Sequence, residues 1–180
     1  SKNIRWKIAL PGKGHSTPII WGDRVYVSAA APFGDTVEPV ATHSPGAHDY
    51  VAPTQRYKFM VLAINRADGR IVWERTLREE LPHEGSHSTG SLASNSPVTD
   101  GEHIFAFFGS RGLYCLDMDG EVRWETDLGD METLHAHGEG SSPALHGDTL
   151  IVNWDHEGES SVLAFDKSTG KERWKVARDE

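Results

Sequence analysis

The sequence is short of cysteine, of long apolar runs and of positive charge, and each shortage removes a class of protein. Cys115 stands alone in 180 residues, so no internal disulfide can form and the redox compartment stays open. No stretch approaches the ~18 consecutive apolar residues that a membrane helix requires. Lys and Arg number 18 against 27 Asp and Glu, giving a net charge of −9 without any basic cluster. Nucleic acid, whose phosphates need a basic footprint, is therefore not an expected partner, and neither is an anionic membrane surface. Residues 1–6 lack the basic-then-apolar order of a signal peptide. No segment holds helical periodicity over three turns. What remains is an acidic chain, 37% apolar, long enough for one real core and carrying ten histidines.

The apolar residues are organised by repetition. "NRADGRIVWERTL", "DMDGEVRWETDL" and "DKSTGKERWKVA" place Trp73, Trp124 and Trp174 at intervals of 51 and 50 residues, and "IRWKIAL" around Trp6 resembles the end of a further copy. A second anchor recurs in the same order. "TPIIWGDRVYV", "SPVTDGEHIFAF" and "SPALHGDTLIV" each set Ser/Thr-Pro four residues before a Gly, ahead of a β-branched or aromatic run. Each unit reads as four short strands bounded by Gly, Asp, Asn and Ser. Four strands in about 45–50 residues is the arithmetic of a β-propeller blade. The expected fold is all-β: three blades over 16–77, 94–128 and 141–177, with an insertion at 31–58 in the first. An orphan outer strand of a preceding blade is expected within residues 1–15, over 4–10.

The turns explain the spacing within each unit. "NRADG", "DMDG" and "DKSTG" join the third strand to the fourth, with the acid or amide bonding backbone and Gly69, Gly120 and Gly170 supplying a positive φ. Trp6, Trp73, Trp124 and Trp174, one per unit at a fixed place, are expected to dock blade on blade rather than to stack on a ligand. Cys115 occupies the small-residue slot that Ala63 and Ala164 fill elsewhere and is expected to be buried and inert.

The stretch Ala164-x-Asp166-x-x-Thr169-Gly170-x-x-x-Trp174 resembles the tryptophan-docking motif of pyrroloquinoline-quinone (PQQ) enzyme repeats. The copy ending at Trp73 departs by Asn65 for Asp and Asp68 for Thr, and the copy ending at Trp124 is one residue short in its turn. The resemblance implies a PQQ-type β-propeller and two branches of function. One is the quinoprotein dehydrogenases, which hold PQQ with calcium and generally use adjacent cysteines. The other is non-catalytic scaffolds, such as the lipoprotein of the outer-membrane β-barrel assembly machinery. A single cysteine and no transferable ligand set favour the scaffold, with no cofactor. The alternative is a segment of a PQQ-dependent dehydrogenase or other redox enzyme whose ligands lie outside this chain. The family's usual home implies a periplasmic or secreted, bacterial protein. Three blades fall short of closure, so the chain reads as part of a longer propeller, or one that self-associates through exposed blade faces.

In a propeller blade the first-to-second and third-to-fourth connections share one face, and here they are short. The long connections, 31–58, 78–93, 129–140 and 155–159, share the other, where binding residues concentrate. His15, His43, His48, His83, His87, His135, His137 and His156 all fall in or beside this set. Of these, His15, His87, His135 and His137 are the candidate ligands for a divalent metal, although their spacing matches no zinc motif. Arg111, Trp154, Asp155 and His156 are the candidate binding face. The expected partner is a protein, a peptide or a carbohydrate.

Overall fold

The computed structural model describes residues 2–41 and 48–178; His43 lies outside them. Strand β1 (Ile19–Trp21) pairs with β2 (Arg24–Phe33), the insertion that follows carries a two-residue β3 (Tyr50–Val51), and β4 (Arg56–Asn65) with β5 (Ile71–Glu80) completes the first antiparallel sheet. After β6 (Ser86–His87), the second sheet takes β7 (Val98–Thr99), β8 (His103–Phe107), β9 (Leu113–Asp117) and β10 (Val122–Thr126). The third takes β11 (Ala144–His146), β12 (Thr149–Trp154), β13 (Ser161–Asp166) and β14 (Glu172–Ala177). All three are meanders of four strands, and none closes on itself, as in a partial propeller.

Two differences from expectation have simple causes. Residues 4–10 form no strand, because no third strand of a preceding blade lies beside them among the described residues to supply a ladder. They are held instead by Trp6 and Ile8, which pack on the cluster of Val25, Val27, Met60 and Leu62. The insertion is also narrower than 31–58, because β2 and β4 stay paired out to Phe33 opposite Arg56.

The cores lie between blades. Tyr26, Phe59 and Val61 of the first blade meet Ile104, Phe108 and Leu116 of the second. Phe105, Phe107 and Leu113 of the second meet Leu150, Trp154 and Phe165 of the third. A strand sandwiched in this way is apolar on both sides, which is why β4 reads as the continuous run "FMVLAI" rather than as an alternation.

The repeat motif has a geometric meaning. Ala63, Cys115 and Ala164 stand directly across the ladder from Trp73, Trp124 and Trp174, so the small side chain makes room for the indole on the next strand. The indole then reaches the neighbouring blade. Nε1 of Trp6, Trp73 and Trp124 donates to the carbonyls of Arg66, Met118 and Lys167 at 2.9, 3.0 and 2.9 Å. Each ring lies flat enough on the turn glycine that a Cβ at Gly69, Gly120 or Gly170 would come within 2.7, 2.9 or 2.5 Å of it. Trp174 has no blade to cover among the described residues and remains 43% exposed. Burial pushes the Cys115 thiol up to about 12, where it stays protonated and unreactive.

The Ser/Thr-Pro anchor works at the other edge. The Thr17 amide donates to Ser96 Oγ at 2.8 Å, and the Ser96 amide to Ser142 Oγ at 2.9 Å. The repeated hydroxyl thus clasps the first strands of successive blades. On the short-turn side Trp21 lies against Gly101 of the next blade, a contact that the repeat reading overlooked.

One interblade ion pair sets an acid limit on stability. Asp100 Oδ2 accepts from Lys167 Nζ at 2.7 Å, and the amides of Glu102 and His103 donate to Oδ1. Burial opposes ionisation, but the Lys167 ammonium and the two amides outweigh it and hold the carboxyl down at about 2. With the folded value below the unfolded one, the stabilisation is complete above the unfolded pKa of about 4 and is lost as pH falls from there through 2. Asp100→Asn is therefore expected to lower stability at pH 7 by about 2 kcal/mol. The gap to wild type should shrink in urea titrations taken from pH 5 down to pH 2. A gap that stays constant with pH would show that the charge contributes nothing.

Candidate functional site

The long connections do not hang free; they bond to one another across three blades. The insertion pairs with the first interblade connection through β3 and β6, Tyr50 opposite His87 and Val51 opposite Ser86. The Ser88 amide donates to the Asp49 carbonyl at 2.8 Å, and the Gly85 amide to the Tyr50 hydroxyl at 3.2 Å. The second interblade connection joins through the His87 amide on the His137 carbonyl at 3.2 Å and Thr133 Oγ1 on Glu84 at 2.7 Å. The fourth long loop follows through the Glu157 amide on the Glu132 carbonyl at 2.8 Å.

Beneath this surface lies a buried carboxylate. Glu139, its side chain 6% exposed, accepts from the Ser110 amide at 2.6 Å, from Ser110 Oγ at 2.7 Å and from Arg111 Nη1 at 2.7 Å. Gly109, at φ 60°, lies so close that a Cβ there would fall 1.6 Å from Glu139 Oε2. Arg111 is itself 3% exposed, with Nε 3.2 Å from Glu80 Oε1 and its guanidinium 5.6 Å from the Phe59 ring centre. Arg111, expected on the binding face, is thus an internal brace between the second blade and the loop 129–140.

The other sequence-derived candidates separate into distinct places. Trp154 is buried against Phe107 of the neighbouring blade, ring centres 6.3 Å apart. Asp155 pairs with Arg178. His156 Nδ1 accepts from the amides of Glu132 and Gly158 at 3.3 and 3.2 Å, which leaves the proton on Nε2. His15 is exposed, its amide bonded to the Ala93 carbonyl and Ser91 Oγ.

His87, His135 and His137 do come together, and the fourth member is His48 rather than His15. The ring centres of His48 and His87 each lie 4.9 Å from that of His137, and His135 is 5.5 Å from both His48 and His137. One ring nitrogen from each of His48, His87 and His137 lies within 4.8 Å of the other two. Beside the cluster a cleft of about 240 Å³ is lined by Pro32, Val51, Pro53, Tyr57 and His87.

A further feature of this face escaped the sequence reading although it is written there. The segments 34–49, 52–55, 81–85, 88–97, 127–143 and 155–160 contain no Lys or Arg. They carry nine exposed carboxylates, among them Asp35, Glu38, Asp130, Glu132, Glu157 and Glu159. The turns at the other end mix signs, with Arg66, Arg70, Lys167 and Lys171 among Asp and Glu. Counting charge loop by loop, rather than over the whole chain, is the signal that would have found it.

The comparisons with known proteins agree on the architecture. No curated protein matches the sequence. Among solved structures, quinohemoprotein alcohol dehydrogenase ADHIIG of Pseudomonas putida HK5 superposes with a TM-score of 0.57 at 17% identity, over 96% of this chain and 22% of that one. BamB of Moraxella catarrhalis follows with a TM-score of 0.48 at 14% identity, over 96% of this chain and 51% of that one. The quinohemoprotein alcohol dehydrogenase of Comamonas testosteroni gives 0.44 at 15%, over 86% and 23%. At these identities the likeness is one of fold, and the chain spans between about a fifth and a half of each relative. No helix among the described residues is long and apolar enough to cross a membrane. The family model described as outer membrane protein assembly factor BamB matches residues 57–180, more than half of the chain, and the protein belongs to that family of PQQ-repeat β-propellers.

Proposed function

We propose that the chain is a non-enzymatic β-propeller module that binds a protein partner through its long-loop face, in a periplasmic or secreted setting. The observation that carries this reading is the face itself. Loops from three blades are bonded into one surface that is acidic and rich in histidine. A rigid scaffold with its variable loops fused at one end is built for recognition. The charge selects a partner segment rich in Lys and Arg, steered by long-range attraction that weakens with salt. Glu139, buried beneath that surface, is engaged by Ser110 and Arg111 and is held as a structural acceptor rather than offered as a catalytic base.

The reading is tested by photo-crosslinking in the producing cell. A photoreactive residue at Glu132 or Glu157 should trap one discrete protein, and one at Asp148, on the opposite turns, should not. The same purified chain should gain no mass with PQQ and calcium in native mass spectrometry. A 1:1 PQQ adduct, or crosslinks equal from both ends, would overturn the assignment.

A further inference from the structure

We propose that His48, His87 and His137, closed by Asp49, bind one divalent transition-metal ion of the zinc class and that the ion clamps three loops of this face together. The inference stands apart from the partner-binding reading, since an ion here would order the loops whatever they recognise.

The donor set is right for such an ion. Three neutral imidazoles and a carboxylate suit Zn²⁺, Co²⁺, Ni²⁺ and Cu²⁺, whereas Mg²⁺ and Ca²⁺ demand oxygen-rich shells. The nitrogens lie within 4.8 Å of one another. Zn–N bonds of about 2.0–2.1 Å place tetrahedral ligands about 3.3 Å apart, so the rings need to close by about 1.5 Å. His48 is exposed and the other two are half-buried, which leaves them the freedom to do so. Asp49 stands outside that group of three but beside two of its members, its Oδ2 3.4 Å from His48 Nδ1 and 3.7 Å from His87 Nε2, and it would complete the shell as the rings close.

The far side of one ring is already oriented. His137 Nε2 donates to the His48 carbonyl at 3.0 Å, which leaves the lone pair on Nδ1. Metal-bound histidines characteristically have their second nitrogen fixed to an oxygen in this way. His87 Nδ1 instead accepts from the Thr89 amide at 3.2 Å, with Thr89 Oγ1 at 2.8 Å, so that the ring has to leave this amide before its Nε2 can ligate. The backbone supplies an independent sign. Among the described residues four non-glycine positions have positive φ, and three of them, Asp49, His135 and Ala136, carry or flank the cluster. Strain of this kind concentrates where a side chain must be presented in one direction. The competing account is a metal-free stack, because the edge-to-face contacts of His137 with His48 and His87, at 74° and 82°, are favourable in themselves.

The two accounts part on titration. The untagged full chain, stripped with chelator, is titrated with Co²⁺ and followed by its visible d–d bands, and with Zn²⁺ by calorimetry. One ion per chain is expected, with the intense bands of a tetrahedral site, a Kd on the order of 1 μM or tighter, and no competition from millimolar Mg²⁺. His87→Ala and His137→Ala should each weaken binding by at least about 100-fold, beyond what an outer-shell change alone produces. His137→Gln, which keeps an N–H for the His48 carbonyl, should lose the ion equally while its apo melting temperature matches wild type. His15→Ala and His146→Ala, outside the cluster, should bind as wild type does. Absent or millimolar binding overturns the proposal, and so does binding that survives in His87→Ala and His137→Ala.

Discussion

Arg111→Ala is expected to lower stability at pH 7 by about 3–5 kcal/mol, because it strips the partner from a buried carboxylate without removing the carboxylate. Glu139 keeps only the Ser110 amide and hydroxyl, and the guanidinium stacked on Phe59 leaves a void. A loss of this size is a large fraction of the 5–15 kcal/mol that holds a typical domain folded. The consequence should also be local. The Met131 amide donates to Ser110 Oγ and His83 Nε2 to the Met131 carbonyl, so the loop that delivers His135 and His137 is anchored on the same turn. Hydrogen exchange over 129–140 should therefore accelerate more than exchange in β12 and β13. The double variant Arg111→Met with Glu139→Gln, which leaves no charge buried, should recover a good part of the loss in urea denaturation. Arg111→Ala within 1 kcal/mol of wild type would mean that the network is solvated in solution.

Two tryptophans in the same motif position should behave quite differently. Trp124→Ala is expected to cost about 3–5 kcal/mol, the range for deleting a large core aromatic. Its ring is held between Phe105, 6.1 Å away, and the Gly170 turn, and its Nε1 proton has a carbonyl partner across the blade boundary. Trp174→Ala removes a ring that is 43% exposed and covers no blade among the described residues, and a change of about 0.5 kcal/mol or less is expected. Thermal unfolding of both variants decides it. Equal losses would mean that the indole stabilises its own blade rather than the junction with the next.

The fold was legible because a propeller states its rules several times over. Each unit repeats the Asx turn, the positive-φ glycine and the indole, so one worn copy is corrected by the others. The turn before Trp124 is a residue short, and the Trp73 indole of the preceding blade still finds the Met118 carbonyl there, at the turn position that Arg66 and Lys167 hold in the other copies. The site is another matter, because none of its elements repeats. Arg111 reads as exposed until Glu139 is known to fold back over Gly109, and no periodicity announces a contact across 28 residues. His15 and His48 differ by the path of their segments. The first is tied through its amide to Ser91 and Ala93, and the second is carried over the face by a ladder only two residues long. Residue type and face could be read from the sequence, but which histidine meets which could not.

The contact between blades also has a direction. Both described blade-to-blade junctions send an indole forward onto a glycine turn and an amide forward onto a hydroxyl, so the two sides of a blade are plug and socket rather than mirror images. Two copies cannot satisfy such a contact by facing each other across a two-fold axis. Any association through these surfaces must run head to tail, where a rotation that closes makes a ring and one that does not makes a fibre.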